Sequence, residues 1–346
     1  MIASLIRFSL IQRLMILLLA AALIVGGVWA FRTLPIDAFP DIASPQVLVI
    51  VKAPGLSPTE VESRITFPIE REMQGLPRQT VLRSTTKYAL SSITIDFEDG
   101  TDIYWARQQV AERLNQVWGE LPAGVEGGLG PITTPLSEGY MYRVEGEGYS
   151  NRELRSIQDW VIRPRLRTVE GVADVNSLGG EVKVFEVVAD PEALLAHGLA
   201  IDDLERALKA NNRNAGGDRI NRNDEVLLVR TVGQLLDMED IRSITVASRN
   251  GVPVHVTDVA TVRINSMTRY GAVTADGEGE VVTGLALLRR GANSRTMVEG
   301  VKHELEALKA TLPEGVRIVP FYDRSELVSQ AVWTVEKALG EAVVLV

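Results

Sequence analysis

The chain has 346 residues, with 46% apolar, 23% charged and 5% aromatic side chains, a formal charge of −9 and a pI near 5.1. This is the composition of a folded chain of two or three domains, not of a disordered one. The acidic balance argues against a nucleic-acid partner, and the absence of cysteine excludes disulfides and thiolate metal sites.

The first element is Leu14 to Phe31, 18 residues without a charge, which meets the length expected of a membrane-spanning helix. Arg7 and Arg13 precede it and the first acid is Asp37, so the positive-inside rule keeps the N-terminus cytoplasmic. A cleaved signal peptide ending near Val28-Trp29-Ala30 is the alternative, although the apolar run exceeds the usual length. In both readings the chain after Arg32 is exported.

A Pro-rich stretch, "LPIDAFPDIASP", leads to "QVLVIVKAPG", a β-branched run that reads as a buried strand. Ser57 and Glu60 form a capping box with Pro58 at the first helical position. Val61, Ile65, Ile69 and Met73 recur every four residues along the helix that follows, and Pro68 should kink it. "TVLRSTTKY" and "LSSITIDFEDG" predict two strands. "TDIYWARQQVAERLNQVWGELPAGV" predicts a helix with Ile103, Val110, Leu114 and Val117 inward, and Asp99 and Asp102 at its start. The order strand, helix, strand, strand, helix is that of a split-βαβ α+β unit.

The unit recurs. Gly100 to Pro122 and Gly291 to Pro313 lie 191 positions apart; "ITIDFEDG" matches "GLALLRRG", Val110, Leu114 and Leu121 match Val301, Leu305 and Leu312, and "LPAGV" matches "LPEGV". A duplicated α/β unit follows. Between the copies, "GGEVKVFEVVAD" reads as a strand, "PEALLAHG" and "IDDLERALKANN" as short helices, and "RNAGGDRINRNDEVLLVR" as a protruding hairpin turning at its Gly-Gly. "SITVASRNGVPVHVTDVATV" supplies two or three strands, and "GEGE" at Gly277 to Glu280 a solvated turn. The hairpin is either a loop or an arm reaching to a neighbouring subunit. Beyond "FYDR", Ser325 is a candidate cap, and Leu327, Ala331, Val335, Ala338, Ala342 and Val346 form one helical stripe. That stripe suits a helix entering a bilayer, or an ordinary core helix.

No nucleophile–base pair, phosphate loop or metal-type histidine spacing is present; His197, His255 and His303 are scattered. An enzyme is not expected.

The segments "LPIDAFPDI", "APGLSPTEVE", "RSTTKYALSSITIDFEDGTDIYWARQQVAERL", "GVADVNSLGG", "NNRNAGG" and "FYDRSELV" resemble the heavy-metal subfamily, CzcA/CusA type, of resistance–nodulation–division efflux pumps, over the N-terminal third of such a pump. The resemblance implies a membrane-anchored α+β chain with two ferredoxin-like porter subdomains and an inserted α/β docking subdomain. Residues 1–13 would be a cytoplasmic N-terminus and 14–33 the first transmembrane helix. Residues 38–134 would form the first porter subdomain, 135–180 and 272–327 the second, and 181–271 the docking subdomain with its arm reaching the next protomer. Residues 328–346 would be the truncated start of a second transmembrane helix. It further implies a proton antiporter of the bacterial inner membrane whose bulk is periplasmic. Its partners would be two further copies in a homotrimer, a periplasmic adaptor, an outer-membrane channel and membrane lipid. No cofactor is implied; the cargo would be a divalent cation such as zinc, cobalt or cadmium, with monovalent copper or silver as the alternative.

For the cargo site, the resemblance points to Glu138 in "PLSEGYMY" and Asp174 in "GVADVNS", 36 positions apart. Carboxylates suit hard or borderline divalent ions, and Met141 is a single nearby thioether. A pair of exposed loop acids is the plain alternative. A drug exporter of the same superfamily, and a membrane-anchored periplasmic module without transport, are the alternative functions.

Overall fold

In the computed structural model, residues 11–33, 43–212, 215–222, 225–231, 233–249 and 251–345 are described. The expected cytoplasmic N-terminus up to residue 10, residues 34–42, residues 223–224 of the expected hairpin and Val346 lie outside them.

The first helix, α1, is Arg13–Thr33. Strand β1 (Gln46–Lys52) follows, then helix α2 over 58–73, β2 (Gln79–Lys87), β3 (Leu90–Phe97), α3 (Ile103–Trp118) and β4 (Glu126–Leu129). Next come β5 (Glu138–Gly146), helix α4 over 151–166, β6 (Val172–Leu178) and β7 (Lys183–Ala189). Helices α5 (Pro191–Ala196) and α6 (Ile201–Asn211) precede strands β8 (Ala215–Arg222) and β9 (Glu225–Thr231). Helix α7 (Met238–Ser243), β10 (Thr245–Arg249), β11 (Val252–His255), the single turn α8 (Val256–Val259) and β12 (Ala260–Ser266) complete the insertion. The chain continues with β13 (Val282–Leu288), α9 (Ser294–Leu308), β14 (Val316–Asp323) and α10 (Arg324–Leu345).

Two compact units result, residues 1–147, 157–178 and 282–346 in one, and 148–156 and 179–281 in the other. The first unit contains two four-stranded antiparallel sheets, ordered β2-β3-β1-β4 and β14-β5-β13-β6. Counting each sheet's strands in their own order, both read 2-3-1-4, the split-βαβ arrangement. The duplication read at an offset of 191 is therefore a duplication of fold: α3 begins at Ile103 and α9 at Ser294, 191 positions on. Ala106, Val110, Leu114 and Val117 are buried on α3, and Met297, Val301, Leu305 and Leu308 at the matching places on α9. The strands alternate as half-buried strands must: Val47, Val49 and Val51 of β1, and Ile93, Ile95 and Phe97 of β3, face the helices at 0% exposure.

The kink expected at Pro68 takes a particular form. Helix α2 runs as Pro58–Val61, a π turn over Glu62–Thr66, then Phe67–Met73, with the Phe67 amide donating to the Glu62 carbonyl five residues back. Proline cannot donate to residue 64 and its ring crowds that carbonyl; the wider turn relieves both conflicts. Helix α4 repeats the device, with a π turn over Gln158–Ile162 just before Pro164. Each turn carries a buried polar group with a partner. Thr66 Oγ1 meets Ser91 Oγ at 2.7 Å, and the Gln158 amide oxygen accepts from the Tyr142 hydroxyl at 3.0 Å.

The second unit has its own core, built on Leu194, Leu204, Ile241, Ile244, Val254, Val256, Val259 and Val262. Strands β7 and β12 pair antiparallel, as do β10 and β11. Strands β8 and β9 form the expected hairpin as a separate two-stranded sheet. Its turn is not at the glycines: Gly216 and Gly217 lie within β8, beside a register shift between Gly216 and Arg219, and Arg222 pairs with Glu225 across the tip. Glycine inside a strand marks a bulge as readily as a turn. Glu280 of "GEGE" is also more than a solvated acid, since it accepts from the Gly180 amide and pairs with Arg269.

Helix α1 exposes Leu14, Leu17, Leu23, Ile24 and Trp29. Among the described residues no helix is long and apolar enough to cross a membrane. The side chains of Val28 and of residues 31–33 lie outside that description, and the expectation of a crossing at 14–33 finds no support there. Helix α10, expected to begin a second crossing, carries Glu336, Lys337 and Glu341. Of the expected apolar stripe, Leu327, Ala331, Val335, Ala338 and Ala342 are exposed, while Arg324 and Val328 are buried. Nor does Ser325 cap it. Asp323 does, accepting from the Ser325 amide at 2.8 Å and hydroxyl at 2.6 Å.

Candidate cation site on the second sheet

Glu138 and Asp174 stand on the strands that flank β13, and both are register partners of the same residue, Leu287. On β13, Val282, Gly284, Ala286 and Leu288 are buried toward the helices, so Leu285 and Leu287 face the opposite, open side. Register puts the acids on that side, through a bulge in β5 and by regular pairing in β6. The register of β5 shifts between Ala286 and Leu287, leaving Gly139 as the extra residue, and that of β6 shifts between Leu287 and Leu288, leaving Ala173. Such bulges re-aim side chains. Gly139 sits tight against α9, where a Cβ would meet the Met297 methyl at 2.1 Å. The next row on the open face is Tyr322, Met141, Leu285 and Asn176.

Glu138 and Asp174 are thus two strand spacings apart, about 10 Å between Cα atoms. A cation with oxygen bonds of about 2 Å joins them only when both carboxylates lean over Leu287. Among the described residues no group of three or more acidic or histidine side chains is placed to hold a metal ion.

The backbone under Glu138 is firmly held. Ser137 is 3% exposed, its carbonyl accepts from the Leu288 amide at 2.6 Å, and its hydroxyl accepts from the Thr134 amide at 2.6 Å. Arg324, 4% exposed at the root of α10, donates to the Leu136 carbonyl and, at 3.4 Å, to the Glu138 carbonyl. The Glu138 side chain itself is exposed.

Asp174 differs. Its Oδ1 accepts hydrogen bonds from the Val175 amide at 2.8 Å and from Arg163 NH2 at 3.4 Å, and Arg167 Nε forms an ion pair with it at 3.2 Å. The composition of "RPRLRTVEGVAD" holds the signal for this, two arginines four residues apart at a helix end just before the strand. The first sheet's matching row is Val81, Asp96 and Gln46, where Asp96 is central and paired to Arg83 at 2.8 Å. Only the second copy leaves two acids flanking an apolar residue. Two of the histidines are engaged elsewhere: His255 Nδ1 lies 3.0 Å from the Ser243 carbonyl, and His197 ends α5.

Two copies of a split-βαβ unit, the second interrupted after its second strand by an inserted α/β unit, define an α+β module with a pair of acids on one open sheet face. The chain belongs to the AcrB/AcrD/AcrF family, whose model matches residues 5–346. It is 45% identical over 353 residues to Protein HelA of Legionella pneumophila, covering 100% of this chain and 34% of that protein. It is 42% identical over 355 residues to the cobalt-zinc-cadmium resistance protein CzcA of Cupriavidus metallidurans, covering 100% of this chain and 33% of that protein. Identity to the cation efflux system protein CusA of Escherichia coli is 41%, with 33% of that protein covered. A crystal structure of a heavy metal efflux pump superposes with a TM-score of 0.89 at 35% identity, covering 99% of this chain and 34% of that one. The chain spans about a third of the length of the relatives it matches.

Proposed function

We propose that the chain is the N-terminal portion of an inner-membrane subunit of a proton-driven efflux transporter, and that Glu138 and Asp174 contact the exported heavy-metal cation. The observation that carries the site is their shared row across Leu287. Cobalt, zinc and cadmium in the name of one relative, and cation efflux in that of another, support the substrate class. In this reading α1 is the first membrane crossing with its N-terminus cytoplasmic, and α10 leads toward the second. The two sheet units are periplasmic porter subdomains, and the insertion docks to a neighbouring copy in a homotrimer, with a periplasmic adaptor and an outer-membrane channel continuing the path. The role is transport and not covalent catalysis.

Two carboxylates on an open sheet face offer a divalent ion hard oxygen ligands without enclosing it. Partial coordination suits cargo, which must be released. A host lacking its own metal exporters and carrying the full-length protein that contains this chain should gain tolerance to zinc, cobalt or cadmium. Glu138→Gln should remove most of that gain while leaving protein level unchanged. Unaltered tolerance in the Gln variant would show that Glu138 takes no part.

A second reading rests on Met141, in the row beside Leu287. A thioether prefers soft monovalent ions, so copper and silver arms belong in the same assay. Tolerance lost in Met141→Leu but kept in Glu138→Gln would favour that reading.

A further inference from the structure

Three groups gather on Asp174 Oδ1, two hydrogen-bond donors and one ion-paired guanidinium. Two of them are guanidinium groups, whose side chains are 35% and 56% exposed, while that of Asp174 is 20% exposed. Among the described residues no donor falls on Oδ2. This arrangement does two things at once. It fixes the carboxylate's rotation, because the Val175 amide and two arginines hold one oxygen. It also places two positive charges beside the only oxygen pair that β6 offers to a cation.

Building on the proposed cation site, we infer that Arg163 and Arg167 are affinity-setting residues, internal cations that compete with the cargo for Asp174. The physical basis is charge and not shape. A divalent ion arriving at Oδ2 would feel attraction from the carboxylate and repulsion from both guanidiniums within the same few ångströms, weakened by solvent because all three groups are partly exposed. Among the described residues no ion pair holds the Glu138 carboxylate; Arg324 reaches its main-chain carbonyl at 3.4 Å, and its strand partner is Leu287. The two acids are therefore unequal: Glu138 is the open ligand, and Asp174 the one already partly neutralised. Capture by Glu138 and weak, competitive capture by Asp174 gives a site that binds a cation without retaining it.

A purely structural role would read differently. The arginines would then stitch the end of α4 to the edge strand β6, and their loss would lower stability without improving cation binding.

The test is calorimetric titration of Zn2+ into the full chain in detergent. Arg167→Gln is expected to tighten Zn2+ binding about three- to tenfold, the scale of a partly screened charge interaction. Arg167→Lys keeps the charge and is expected to stay within about twofold of the parent on the same scale. In Asp174→Asn the gain from Arg167→Gln is expected to vanish, because the competed group is gone. Arg163→Gln gives an independent reading if the first variant fails to fold. Weaker Zn2+ binding in Asp174→Asn together with unchanged binding in both arginine variants overturns the competition while leaving the site intact. Unchanged binding in Asp174→Asn and Glu138→Gln alike, or no Zn2+ binding by the parent chain, overturns the site and the competition with it.

Discussion

Asp99 and Arg290 occupy equivalent positions in the two repeats, 191 residues apart, and both hold Ser44. The Ser44 hydroxyl donates to Asp99 Oδ1 at 3.1 Å, and Arg290 NH1 donates to the Ser44 carbonyl at 2.9 Å. A second Arg290 nitrogen donates to the Ala43 carbonyl at 2.5 Å. The segment entering β1 is thus tied to both copies of the fold, by an acid from one and a base from the other. Loss of Arg290 removes a charged donor from the part-buried Ala43 carbonyl and from the exposed Ser44 carbonyl. Arg290→Ala should cost about 2 kcal/mol, seen in chemical denaturation, with faster amide exchange at residues 46 and 47. Asp99→Asn keeps an acceptor at an exposed site and should cost well under about 1 kcal/mol.

Tyr142 and Gln158 are both fully buried and joined by a 3.0 Å hydrogen bond. Tyr142→Phe removes the hydroxyl that donates to the Gln158 carbonyl oxygen, and an unsatisfied buried acceptor costs about 1–3 kcal/mol. The same ring lies over Gly284, where a Cβ would stand 2.2 Å from the ring carbon bearing the hydroxyl. Gly284→Ala should therefore destabilise by about 1–3 kcal/mol through overpacking. Thermal unfolding of the two single variants and the double variant should show non-additive losses, because they share one ring.

Alkaline behaviour gives a separate check on Tyr142. Burial pushes its phenol well above the ordinary value of 10.0, against the lowering effect of the Gln158 hydrogen bond. In the folded chain the hydroxyl keeps its proton where the unfolded chain has lost it. Stability from this group is full below pH 10 and falls as pH rises above it, since the unfolded state then binds fewer protons. The slope of stability with pH above 10 should flatten in Tyr142→Phe.

Asp323 sets the opposite sign at the acid end. Burial pushes its carboxyl up, but the hydrogen bonds from Lys302 and Ser325 outweigh burial and hold it below the ordinary 3.8. Lys302 lies on α9 and Asp323 caps α10, so this pair anchors the final helix. Its contribution is present above pH 3.8 and is lost as pH falls through the lowered folded value. Lys302→Met should bring acid unfolding to a higher pH, measured by circular dichroism between about pH 5 and pH 2.

The fold was legible wherever periodicity carried it. The offset of 191 located α3 and α9 residue for residue, because the same inward face must be apolar in both copies. The π turns were not read, although Val61, Ile65, Ile69 and Met73 repeat every 4.0 positions, wider than the 3.6 of an α-helix. That drift, combined with a proline, is the signal that a wide turn leaves. The Gly-Gly of the hairpin misled because glycine serves bulges and turns equally. In the candidate site, the acids were visible as strand-end residues in a matching motif. Their common partner, Leu287, was not, since register across three strands rests on long-range pairing and, on β5, on a bulge that leaves no local pattern. Arg290 and Ser44 are 246 positions apart, beyond any local rule.

The proposed role rests on Glu138 and Asp174 meeting one cation, and anomalous X-ray scattering from crystals soaked with Cd2+ tests this most directly. The account predicts an anomalous peak over Leu287, about 2.3 Å from an oxygen of Glu138 and from Oδ2 of Asp174. A peak elsewhere on the chain with none over Leu287, or one that persists unchanged in the Glu138→Gln, Asp174→Asn double variant, would contradict it.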